Sequence, residues 1–117
     1  ELVVPKALAI GPQIQSTFAK AYKAGVKIAF GSDAGVYPHG INGKEFAYMN
    51  EVGMPVMECI QSATITNASI LSMENDLGKI KEGFIADIVA TEENPLDNVS
   101  TLEKVVFVMK EGIVYKQ

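Results

Sequence analysis

The stretch that decides the fold is "VKIAFGSDAGVYPHG", residues 26–40. Its first five residues are mostly apolar and read as a short strand buried on both faces. Gly31, Ser32 and Asp33 follow at once, and six residues after the aspartate comes His39, the single histidine of the chain. In parallel α/β architectures functional groups sit where strands end and loops begin. Asp33 is placed that way, in a glycine-flanked turn where main chain can approach a ligand. A carboxylate there can ligate a metal or accept a proton. The competing reading is an Asx-type turn closed by the aspartate side chain. His39, between Pro38 and Gly40, can be a ligand, a substrate contact or a surface residue. "GSDAG" matches neither the dinucleotide fingerprint nor the P-loop, and its aspartate would oppose an anion.

Upstream, Gly11 and Pro12 predict a helix start, since proline suits the first helical position. Ile14, Phe18 and Tyr22 share one face with Ala21 beside them, and Gly25 stands where a left-handed C-terminal cap belongs. Helix, glycine and buried strand make the αβ half of a βα repeat. Downstream, residues 31–43 form a long loop with four glycines, Pro38 and Asn42. "KEFAYMNEVG" predicts a helix with Phe46, Met49 and Val52 as its stripe and Gly53 as its end. Pro55 opens another, with Val56, Cys59, Ile60 and Ala63 on one face. Thr64 or Thr66 is placed to cap a fourth through "NASILSM".

The pattern changes near Asn75. "ADIVAT", "KVVFVM" and "IVYK" carry the β-branched and aromatic residues of strands, and Lys110, Glu111 and Gly112 mark a tight hairpin. Residues 1–74 therefore read as an α/β layer and residues 75–117 as a β-rich appendage.

Composition narrows the classes further. The chain has 117 residues, one domain by size, with 48% hydrophobic residues and a net charge of −4. There is no basic stripe, which argues against nucleic acid or an anionic membrane as partner. The apolar start "ELVVPKALAI" is broken by Pro5 and Lys6 and is too short to span a bilayer. It also lacks the basic region of a signal peptide, so the expected compartment is the cytoplasm unless a longer precursor carries a leader. Cys59, the lone cysteine, reads as a small buried hydrophobe.

From Ala24 onward the chain resembles a known family. "AGVKIAFGSDAGVYPHGINGKEFAYMNEVGMPVMECIQSATITNASIL", then "LGKIKEGFIADIVATEENPLDNV" and "VVFVMKEGIVYK", are similar to the C-terminal part of metal-dependent amidohydrolases. The nearest branch is imidazolonepropionase-like and includes Xaa-Pro dipeptidases (prolidases). The resemblance implies a (β/α)8 TIM barrel with a small β-sandwich. In that fold "VKIAF" is the eighth strand, residues 43–74 are closing helices, and residues 75–117 return to the sandwich.

The resemblance also implies roles. Asp33 corresponds to the strand-eight aspartate, which ligates or bonds to a centre of one or two zinc ions. It takes a proton from the attacking water and later protonates the leaving nitrogen. His39 falls in the loop bordering the substrate pocket and is expected to contact substrate. The implied reaction is hydrolysis of a C–N bond in a dipeptide such as Xaa-Pro. Alternatives are a cyclic amidohydrolase of the imidazolonepropionase type and a non-enzymatic α+β module for binding or oligomerisation. Three departures stand out: Ser32 where threonine is frequent, Ile41 where polar residues or glycine are usual, and Met54 where a capping threonine is usual.

The family's other metal ligands are histidines and a lysine from earlier strands, and this chain has one histidine. One aspartate and one histidine fall short of the three protein ligands of a catalytic zinc site. Eight βα units take about 250 residues. The expectation is a C-terminal fragment of the barrel with part of the sandwich, binding no zinc and inactive by itself. Its expected partners are the remainder of the amidohydrolase chain or further copies of itself.

Overall fold

The computed structural model describes residues 3–117. A long helix α1 (Val3–Lys23) leads into an extended segment, a loop and helix α2 (Lys44–Glu51). Helix α3 (Val56–Gln61), a π turn (Ser62–Thr66) and α4 (Asn67–Ile70) then follow one another without a break. Three short antiparallel strands close the chain: β1 (Ile88–Ala90), β2 (Phe107–Lys110) and β3 (Ile113–Lys116), in the order β1-β2-β3.

Helix α1 begins earlier than proline placement predicts, and Pro12 lies inside it. Ala7, Leu8 and Ala9 are strong helix formers. Proline removes one rung of the ladder without stopping the turns on either side. The end of α1 is as expected. Gly25 adopts φ 81°, its N–H donates to Tyr22 O at 2.9 Å, and Val26 N–H donates to Ala21 O at 3.1 Å. That pair of bonds is a Schellman cap, with glycine supplying the left-handed residue.

The same cap recurs after α2. Gly53 at φ 102° bonds to Asn50 O and Met54 bonds back to Met49 O. Met49 and Met54 are thereby brought together, and with Cys59 they form the buried cluster. Phe18 and Tyr22 of α1, Ile28 and Phe30 of the extended segment, and Phe46 of α2 pack around it. The Phe30 and Phe46 rings stack at 4.5 Å between centroids.

Two further expectations change. Residues 26–30 form no ladder with any strand among the described residues. A strand needs at least one partner to form a ladder, and β1–β3 pair only with one another. No separate fourth helix is capped by Thr64 or Thr66 either. Thr66 has helical torsions, and Thr64 Oγ1 donates back to Ile60 O at 2.8 Å from within the π turn.

The C-terminal part behaves as its pattern predicts. Lys110 pairs with Ile113, leaving Glu111 (φ 51°) and Gly112 (φ 79°) as a two-residue turn with both torsions positive. That is the type I′ geometry, which follows the twist of the flanking strands. The appendage meets the helical part at two close contacts. A β-carbon on Gly43 would lie 2.7 Å from Leu102 O, in the 3-10 turn Val99–Glu103. Gly78 packs as tightly on the main chain of Thr64.

The core is small for so apolar a chain. Val36 (86% exposed), Ile80 (87%) and Tyr115 (70%) are open to solvent. The radius of gyration is 15.7 Å, against about 13 Å for a compact chain of this length. No described helix is long and apolar enough to cross a membrane.

Candidate functional site

Asp33 lies three residues beyond Phe30, and the main chain of Phe30 is firmly placed. Its N–H donates to Ser62 O at 3.2 Å and its carbonyl accepts from Asn67 Nδ2 at 2.9 Å. Ring stacking on Phe46 fixes its side chain. The loop then turns at residues 33–36, where Val36 N–H donates to Asp33 O at 2.9 Å and Gly35 takes φ 115°. A main-chain carbonyl thus closes this turn, so the Asx-type role for the aspartate side chain is not needed. The Asp33 carboxylate is left exposed.

His39 is also exposed, farther along the same loop. Its neighbours Tyr37 and Ile41 line a hollow of about 260 Å³ with Asn42, Lys44, Glu45 and Tyr48. Neither Asp33 nor His39 is part of that lining. Partial burial raises the Glu45 carboxyl above its usual range. Two larger hollows lie elsewhere. One is bordered by Glu92, Glu93, Asn98 and Lys104, the other by Tyr22, Ile28, Met54 and Glu58. Tyr22 Oη donates to Glu58 Oε2 at 2.8 Å in the second, and that bond raises the tyrosine pKa.

Among the described residues no group of three or more His, Cys, Asp or Glu side chains is placed to hold a metal ion. The donors of this chain do not by themselves fit a zinc centre, which requires three protein ligands. Asp33 stands as an exposed carboxylate on a braced segment.

Asn67 has no signal of its own in the sequence. It stands in "TITNASIL", where periodicity shows only a helix. Its contact with Phe30, 37 residues away, exists only in three dimensions.

The amidohydrolase family matches residues 4–116. Among solved structures, a Xaa-Pro dipeptidase with bound methionine in the active site superposes with a TM-score of 0.91 at 54% identity, covering 97% of this chain and 28% of that one. A prolidase complexed with N-methylphosphonate-L-proline superposes at 0.79 with 34% identity, covering 88% of this chain and 26% of that one. Ochratoxinase from Aspergillus niger is 36% identical over 101 residues, 82% of this chain and 21% of its own length. The chain therefore spans about a fifth to under a third of the relatives it matches. Its helices and small antiparallel sheet correspond to a C-terminal portion of large barrel hydrolases, and the chain belongs to the amidohydrolase family.

Proposed function

We propose that this chain is the C-terminal portion of a metal-dependent amidohydrolase that cleaves a C–N bond, with a dipeptide of the Xaa-Pro type as substrate. The observation that carries this reading is the exposed carboxylate of Asp33. It follows a main chain clamped at Phe30, in a chain 54% identical to a Xaa-Pro dipeptidase. In a complete barrel Asp33 accepts the proton of the attacking water and returns it to the leaving nitrogen. A carboxylate within reach of both the water and the leaving nitrogen is suited to that exchange. His39 contacts substrate from the loop that also carries Tyr37 and Ile41.

Zinc is the metal this reading expects, and Asp33 supplies one of its ligands. The remaining ligands come from the upstream barrel strands, which also cover the exposed apolar residues and pair with residues 26–30. Without them the chain binds no zinc tightly and turns nothing over, and it associates with that upstream part or with further copies of itself.

The test has two arms. The purified 117-residue chain with added zinc is expected to show no dipeptide hydrolysis. A complete barrel, with the upstream strands supplied by the Xaa-Pro dipeptidase, is expected to hydrolyse Xaa-Pro and to lose that activity on Asp33→Asn. Robust turnover by the short chain, abolished by Asp33→Asn, overturns the need for the upstream strands. Full activity of the complete barrel after Asp33→Asn overturns the role of the aspartate.

A further inference from the structure

Both main-chain polar atoms of Phe30 are satisfied by a single stretch of helix. Ser62, which opens the π turn, accepts the Phe30 N–H, and Asn67, which directly follows it, donates to the Phe30 carbonyl. Ser62 and Asn67 are five residues apart. The two contacts flank the π turn: the main-chain carbonyl of Ser62 at its start and the side-chain amide of Asn67 just past its end.

Asn67 and Phe30 are both half-buried, so the bond between them is partly shielded from water. Beyond Phe30 only Gly31 and Ser32 separate the clamp from Asp33. Each contributes two soft torsions, and the glycine restrains its own least of all. The clamp at Phe30 fixes where this short span starts, and the Val36 N–H to Asp33 O bond at 2.9 Å fixes where it ends, so loosening Phe30 enlarges the space the Asp33 carboxylate explores.

We infer that Asn67 is a positioning residue for Asp33, acting through the Phe30 carbonyl and the π turn. This rests on the reading of Asp33 as the proton carrier. The alternative is that Asn67 merely satisfies a partly shielded carbonyl and stabilises the fold. A built-in control separates the two. Asn50 Nδ2 donates to Met54 O at 3.0 Å, a bond of the same kind and similar burial, at the end of α2.

The experiment compares Asn67→Asp, Asn67→Ala, Asn50→Ala and Asp33→Asn in the complete barrel. Asn67→Asp keeps the side-chain shape and removes the N–H donor. Both Asn67 variants are expected to lower kcat by about 10- to 100-fold, the scale of a small misplacement of reacting groups. KM and bound zinc are expected to stay unchanged and the melting temperature to fall no further than in Asn50→Ala, while Asn50→Ala keeps its kcat. In the 117-residue chain, amide exchange at residues 31–36 is expected to quicken in Asn67→Asp while Phe107–Lys110 stays protected.

An Asn67→Asp kcat within about twofold of the parent, where Asp33→Asn abolishes turnover, overturns the positioning role alone. So does a loss of kcat matched by Asn50→Ala, or exchange that quickens uniformly along the chain. Turnover that survives Asp33→Asn overturns this inference together with the reading beneath it.

Discussion

Gly78 lies against the main chain of Thr64 so closely that a β-carbon on it would sit 2.9 Å from the Thr64 carbonyl carbon and oxygen. Gly78 also has φ 85°, so two independent constraints demand glycine. Its position joins "LGKI", the entry to the β-rich segment, to the π turn that holds Phe30. Gly78→Ala is expected to destabilise the chain by about 2 kcal/mol or more, from left-handed strain and backbone overlap together. Urea unfolding checks this, and a midpoint equal to that of the parent chain would count against the contact.

Ser72 ends α4 with the same cap that Gly25 and Gly53 provide, at φ 57°, with Ser72 N–H to Ser69 O and Met73 N–H to Ala68 O. Here a side chain occupies a conformation that glycine adopts freely. Ser72→Gly is therefore expected to stabilise the chain by about 0.5–1 kcal/mol, because relief of the strain exceeds the added entropy of the unfolded glycine. A lower melting temperature for the variant would show that the serine is not strained.

Cys59 is fully buried (0% exposed) and donates to Met54 O at 3.5 Å. Burial is the main cause that lifts its thiol above the ordinary value of 9.0. The sign follows from linkage. The unfolded thiol ionises first, so this contribution to stability is full below pH 9.0 and fades as pH rises through the folded value. Stability is expected to fall as pH rises above 9.0 in the parent chain and less steeply in Cys59→Ala. A thiol reagent at neutral pH should modify Cys59 only as fast as the core opens. Instant labelling of the folded chain would contradict the packing of Met49, Met54 and Cys59.

Local patterns in the sequence were enough for the helices α2 and α3, the glycine cap at Gly25, the three strands and the hairpin turn at Glu111 and Gly112. Each depends on residues within a few positions of one another, so spacing and turn chemistry suffice. The loop position of Asp33 was legible for the same reason. The resemblance of "GSDAG" and "LGKIKEGFIADIV" to amidohydrolases added a role that spacing alone left open.

Tertiary structure decided what depends on distant partners. Residues 26–30 have the composition of a buried strand, yet composition cannot supply the neighbouring strands that would make a ladder. α3 and α4 are joined through a π turn that meets Phe30 and Gly78, distant partners that sequence spacing does not encode. Asn67 is ordinary by sequence and acquires its place only through a carbonyl 37 residues away. The sequence by itself determined a carboxylate at the end of an apolar segment. Only the folded chain decided what braces that segment, because hydrogen bonds between distant residues are set by packing and not by local preference.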